Sequence, residues 1–309
     1  MSIQALPEST TRRLGAGQAL PSPSALVKEL LDNAIDARAT SIEVLLSANT
    51  LDKIEVRDNG SGIASDDLEQ VGKRGHTSKL TCFEEIRTVG RFSLGFRGEA
   101  LASACTMGGV TITTRTEGDP AGTVAKLKPT GGLDSRSSKS HPIGTTVCVS
   151  NLFSKYPVRK QNFLKQTSKT IAEIKELLQS YALARLHIRI NLKVLKQPKA
   201  NWTYISRPQD GLKEAATKVV GKDVVAFCME QTQHFQDPHA PPITILALLA
   251  KPSADFTKIK ACASYLEMVV LCHSLEIPRA GRFTLRARKS SKNLRVGRAK
   301  SYAEIHSCV

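Results

Sequence analysis

Apolar and polar positions alternate in short runs separated by longer one-sided stretches, a pattern of strands and helices mixed along one chain. Ser22 followed by Pro23 makes a helix start, an N-cap with proline at the first helical position, and no Gly or Pro interrupts the chain until well past Asp36. A helix is predicted from there to about Arg38. Val27, Leu30, Leu31 and Ala34 gather on one side of it, while Glu29, Asn33 and Asp36 fall within roughly 60° of one another on the other. Alternation predicts strands at 41–46, 53–58, 109–116, 123–127, 145–151 and 186–195, with helices at 169–183 and 212–219. The Ser/Gly/Lys-rich stretch 131–141 reads as a surface loop, and 243–250 as a buried strand too short to span a membrane.

Three blocks in the first third carry chemistry. Glu29-Leu-Leu-Asp-Asn33-Ala-Ile-Asp36 puts three polar groups on one helix face, which by itself is an ordinary solvated face. Asp58-Asn-Gly-Ser-Gly62 follows a strand and looks at first like a hairpin turn. Instead of a second alternating strand, however, Ser65-Asp-Asp-Leu-Glu69 follows, which reads as a helix start with Ser65 as its cap. A strand-to-helix turn with two glycines lets a ligand approach the backbone, and the Asp58 carboxylate suits an exocyclic amine such as that of adenine. The third block, Gly95-Phe-Arg-Gly98-Glu-Ala-Leu101, is a glycine-bounded turn running into a helix, a phosphate cradle assisted by Arg97. Thr77-Ser-Lys79 adds hydroxyls and an ammonium from an upstream loop. No P-loop, dinucleotide fingerprint or protein-kinase motif set is present, so the three blocks point to a different ATP fold.

These motifs, with Gly144-Thr-Thr-Val147, resemble the ordered motifs of the gyrase/Hsp90/histidine-kinase/MutL ATPases. Val27-Lys-Glu-Leu, Thr77-Ser-Lys-Leu and Phe153-Ser-Lys-Tyr-Pro-Val-Arg-Lys160 are similar to the MutL branch of DNA mismatch repair proteins, with Val158-Arg-Lys and Lys53-Ile-Glu-Val-Arg-Asp-Asn-Gly60 nearest its eukaryotic PMS-type members. The resemblance implies an α/β two-layer sandwich of the Bergerat type, a mixed sheet with helices on one face, over residues 1–205. A partial second α/β transducer domain follows at 206–260, and a divergent basic tail at 261–309. It implies Glu29 as general base, Asn33 as a Mg²⁺ ligand and Asp58 as the adenine reader. Gly62 admits the base, Thr145 supports Asp58 through a water, and Thr77, Ser78, Lys79, Gly95, Phe96, Arg97, Gly98, Glu99, Ala100 and Leu101 hold the phosphates of ATP.

An ATP-hydrolysing mismatch-repair subunit is the activity so implied, with N-terminal dimerisation driven by ATP. The partners implied are a second MutL homologue as a heterodimer, a MutS-type mismatch-recognition complex, and DNA. Two other readings are a nucleotide-binding homologue without significant turnover, since the His-Pro-x-Lys of relatives is not found, and a histidine kinase, for which no phosphoacceptor helix precedes the asparagine. The metal-binding endonuclease motif of some relatives is not found either. Asp32 and Arg38 replace the Glu and Gly common in relatives, without touching an assigned role.

Net charge of +16 fits binding to a phosphate backbone, although half of the excess lies from Lys251 onward. The acid-free run from Arg279 to Lys300 resembles a nuclear-localisation or nucleic-acid patch, and a nuclear protein is expected. Lys155, Arg159 and Lys160 are lesser DNA candidates. Seven cysteines form no C-x-x-C pair and are expected as reduced thiols, with no zinc site and no membrane association.

Overall fold

Two helices, α1 (Glu8–Ala19) and α2 (Pro23–Asp36), precede the first strand. The Ala25 N–H donates to Ser22 Oγ at 3.1 Å, so the serine caps α2 as its sequence predicts. Leu26, Val27, Leu30 and Leu31 are at most 3% exposed, each burial contributing about 1.5–3 kcal/mol relative to exposure. The helix stops at Arg38, which adopts φ 59°, with the Ala39 N–H bonded to Ala34 O and the Arg38 N–H to Ile35 O. That pair of bonds is a Schellman motif with arginine where glycine is usual.

The computed structural model describes residues 4–79, 93–95, 98–237, 240–251, 271–274 and 277–280, with backbone alone for the last two segments and parts of 235–250. Strands β1 (Ser41–Leu46) and β2 (Lys53–Asp58) form a hairpin. Helix α3 (Ala100–Met107) leads into β3 (Gly109–Arg115), β4 (Gly122–Leu127), β5 (Leu133–Lys139) and β6 (Gly144–Ser150). Helices α4 (Pro157–Lys165) and α5 (Thr167–Ala184) then precede β7 (Arg189–Val194) and β8 (Trp202–Tyr204). The eight strands form one sheet in the order β5-β4-β3-β6-β2-β1-β7-β8. It is mixed, because β1 runs parallel to β7 and antiparallel to β2.

Alternation along β1 buries Ile42, Val44 and Leu46, and along β7 Ile190, Leu192 and Val194. These residues meet α2 and the α5 residues Ile171, Ile174 and Leu178 in one core. The opposite sheet face is polar, with Glu43 accepting from Lys193 at 2.6 Å. This is the expected sandwich with helices on one face.

Two expectations fail locally. Residues 131–141 are not a loop: β5 pairs antiparallel with β4, and its exposed edge position leaves it polar on both faces, with no alternation to read. Ser65 caps no helix; Ser65–Glu69 is a 3₁₀ turn behind Ala64, without a side-chain cap.

Beyond the sheet, α6 (Leu212–Val220) packs on α5, and α7 (Lys222–Ala226) leads to β9 (Cys228–Asp237) and β10 (Ala240–Ala250). A second sheet runs β12-β11-β10-β9, where β11 is Leu271–Ser274 and β12 Ile277–Ala280. No helix among the described residues is long and apolar enough to cross a membrane.

Candidate nucleotide site

The C-terminal end of β2 delivers Asp58 to the floor of a cleft of about 1410 Å³, where it is 9% exposed. Its Oδ1 accepts from the Gly60 N–H at 2.8 Å and the Thr145 N–H at 3.3 Å. Burial raises the pKa of this carboxyl above the usual carboxylate value, and the two N–H groups oppose that shift. Thr145 thus supports Asp58 directly through its main-chain N–H. Gly62 adopts φ 78°, and a Cβ there would lie 2.3 Å from Arg115 O, so the turn can press against the β3 end only as glycine.

Thr114, which sequence reading missed, ties this end together. Its Oγ1 accepts the Ile63 N–H at 2.8 Å and lies 3.1 Å from Thr145 Oγ1. Only the β3–β6 register, Thr114 opposite Thr145, reveals it.

At the other end of the cleft, Lys79 Nζ donates to Asn33 Oδ1 at 2.9 Å and to Asp36 Oδ2 at 2.5 Å. Asp36 also accepts from Ser93 Oγ at 2.6 Å, the Leu94 N–H at 2.9 Å and the Gly95 N–H at 3.2 Å. Burial would raise its pKa, but the bonds from Lys79, Ser93 and Leu94 outweigh it and hold the carboxyl below its usual value. Asp36 shares the predicted polar face but received no role; its place as organiser of the glycine turn is visible only in three dimensions.

Glu29, Asn33, Asp58, Gly62, Thr77, Ser78, Lys79, Gly95, Gly98, Glu99, Ala100, Leu101 and Thr145 all line this one cleft. Phe96 and Arg97 lie outside the described residues. Gly98 takes φ 62° with its Cβ direction 2.4 Å from His76 O, which locks the turn against the Thr77–Lys79 loop. Helix α3 starts there without a side-chain cap on its first N–H groups, the kind of end that suits an anion, and its first residues, Ala100 and Leu101, line the cleft. The Glu99 carboxylate accepts from Arg74 Nη2 at 3.3 Å.

The donor set suits Mg-ATP. Asn33 Oδ1 lines the cleft and already accepts a cation, the Lys79 ammonium, which matches the single amide oxygen that a largely hydrated Mg²⁺ takes. No group of three His, Cys, Asp or Glu able to hold a metal occurs among the described residues. Of the DNA candidates, Arg159 is committed internally. Its guanidinium lies over Phe153 and Tyr156, at 5.5 and 5.9 Å, and donates to Gly17 O at 2.9 Å.

The Histidine kinase-, DNA gyrase B-, and HSP90-like ATPase family matches residues 22–130, which hold the first three motif blocks. The chain is 34% identical over 263 residues to the DNA mismatch repair protein MutL of Neisseria meningitidis serogroup C, covering 85% of this chain and 38% of that protein. It is 36% identical over 243 residues to MutL of Aliivibrio fischeri, covering 74% of this chain and 34% of that one. It therefore spans less than half the length of these relatives.

Among solved structures, the N-terminal domain of a DNA repair protein matches with a TM-score of 0.67 and 26% identity, over 81% of this chain and 74% of that one. The Aquifex aeolicus MutL ATPase domain complexed with ADP shares the fold, with a TM-score of 0.53 and 23% identity over 76% of this chain and 79% of that one. These relatives overturn the nuclear expectation, because they belong to bacteria, cells without a nucleus, and they give no support to the eukaryotic PMS-type branch. By its motif blocks, its sheet and these relatives, residues 22–130 are a histidine kinase-, DNA gyrase B- and HSP90-like ATPase domain in a chain that is similar over most of its length to MutL proteins.

Proposed function

We propose that this protein binds Mg-ATP in the cleft and hydrolyses it, as the ATPase part of a mismatch-repair MutL homologue. The observation that carries the reading is the convergence of a buried carboxylate, a glycine turn, a lysine-anchored phosphate loop and the Glu29/Asn33 face in a single cleft. Asp58 accepts the adenine amine. Lys79 and the N-terminal N–H groups of α3 hold the phosphates, and Asn33 holds Mg²⁺, which when bound neutralises phosphate charge. Glu29 orients the attacking water and takes its proton as that oxygen bonds to the γ-phosphorus and the bond from that phosphorus to the bridging oxygen of the leaving ADP breaks, positioning being the main work of such a site.

Nucleotide binding is coupled in this proposal to N-terminal dimerisation with a second MutL homologue, and through it to DNA and a MutS-type mismatch-recognition complex. The test is Mg-ATP binding by calorimetry and phosphate release, with and without DNA, for wild type, Glu29→Ala and Asn33→Ala. Glu29→Ala is expected to keep binding and lose at least about 100-fold in turnover, the contribution of a general base. Asn33→Ala is expected to lose Mg-ATP binding. Binding without turnover in wild type favours the second reading, a nucleotide-binding homologue that does not hydrolyse.

A further inference from the structure

The sheet face turned away from the helices carries cations in excess. On β1 and β2 its acids are Glu43 and Glu55, and each is taken by a lysine, Lys193 at 2.6 Å and Lys53 at 2.9 Å. Arg57, next on the same face of β2, stands opposite Thr146 on β6, and Thr146 opposite Thr113 on β3. Opposed residues of an antiparallel pair share a face, with Cβ atoms about 5 Å apart. Glu43 also stands opposite Arg57, but Lys193 and Asn191 of β7 both hold its Oε1. Arg57 is exposed, and among the described residues it forms no ion pair. His141 is built onto this spot. A Cβ at Gly122 on β4 would lie 2.6 Å from His141 Cβ, so the histidine settles there only over a glycine. Its Nδ1 donates to Pro142 O at 2.7 Å, which leaves Nε2 of the neutral ring as an acceptor, 3.0 Å from Thr146 Oγ1. Arg115 Nη1 donates to His141 O at 3.2 Å and pins the backbone. Arg57 and His141 thus converge on one threonine.

We propose that Arg57 and His141, on either side of Thr146, bind a dianionic oxyanion of the phosphate class on this face, outside the nucleotide cleft. Thr145 lines the cleft and Thr146 follows it in β6, so the two sites lie on opposite faces of the sheet. Binding here requires no chemistry in the cleft. The charges around the ring are of one sign. Burial first, then Arg57 and Lys139 at the end of β5, lower the pKa of His141, against the bond to Pro142. The acids of the β3–β4 turn do not answer these cations. Asp119 accepts from the Thr116 N–H at 2.9 Å and from Thr116 Oγ1 at 2.6 Å, and Glu117 is exposed. An anion gains the guanidinium fork at once, and a second donor when His141 takes up a proton from solvent and Nε2 turns from acceptor to donor. A ring held only for packing gains nothing from a neighbouring arginine, which opposes its charged form.

Sulfate is the first probe, because its two charges do not change between mildly acidic and neutral pH. The His141 ring signal, assigned by its loss in His141→Gln, is followed by NMR on the whole chain as sulfate replaces chloride at equal ionic strength. A saturable shift is expected, with the His141 midpoint raised by about one pH unit and sulfate bound about tenfold tighter below that midpoint than above it. Arg57→Gln is expected to weaken sulfate about tenfold, and inorganic phosphate to compete with it in wild type. Lys79→Met, altered in the cleft, is expected to leave the shift as it is. No saturable shift, an equal affinity in Arg57→Gln, or a shift lost in Lys79→Met overturns the proposal. Displacement of sulfate by duplex DNA without terminal phosphates, where inorganic phosphate fails to compete, overturns it in favour of a nucleic-acid backbone.

Discussion

Asp36 shows how one side chain can hold the wall of a cleft together. Four donors converge on its carboxylate, two of them backbone N–H groups of the glycine turn and one the Lys79 ammonium. In Asp36→Asn the amide NH₂ faces these donors and the ammonium of Lys79 loses its anion. Loss of a charged hydrogen bond costs about 1.5–3 kcal/mol, so Mg-ATP affinity by calorimetry is expected to fall roughly 10- to 100-fold. Unchanged affinity would show that the turn holds its place without Asp36. Because the folded carboxyl titrates below its usual value, this stabilisation is complete above the ordinary carboxylate range and is lost only as pH falls through the lowered value. Sequence periodicity placed Asp36 on the right face, since helical spacing is a local property. It could not show its partners at 79 and 93–95, nor the Asp32–Tyr181 bond between residues 149 apart, because those depend on how distant segments pack.

At the scale of elements, legibility follows burial. Helix α2 was readable from cap to face because a buried stripe and a Ser-Pro start both leave marks in sequence. Strand β5 was not, since an exposed edge imposes no alternation. The end of α2 carries a further consequence. Arg38 sits at φ 59° in the C′ position of a Schellman motif, a conformation that costs an L residue about 1–2 kcal/mol and glycine almost nothing. The side chain is exposed, so little packing opposes its removal. Arg38→Gly is therefore expected to stabilise the fold by about 0.5–1 kcal/mol, after the greater entropy glycine loses on folding, and to raise the thermal midpoint. A lowered midpoint would mean that the guanidinium holds the turn.

For the whole molecule, charge is the property that sequence reports most plainly and interprets least. The acid-free basic run from Arg279 suggested a nuclear address, and relatives from bacteria overturned it; a row of cations has the same composition whether it is read by a receptor or by phosphates. Near α4 the structure sorts charge more finely. Arg159 looked like its neighbours Lys155 and Lys160 in sequence, yet its guanidinium is spent on Phe153, Tyr156 and two α1-side carbonyls, Gly17 O and Leu20 O. Lys155 by contrast is exposed. Each cation that meets a DNA phosphate adds about 0.9 to the slope of log affinity against log salt. If DNA lies along α4, Lys155→Ala and Lys160→Ala each lower that slope by nearly one, measured by fluorescence anisotropy on duplex DNA across a salt series. Arg159→Ala leaves the slope unchanged and instead lowers the thermal midpoint, because it releases α1 from α4 and exposes two aromatic rings. A reduced slope in Arg159→Ala with an unaltered midpoint would place the guanidinium on DNA and not inside the fold.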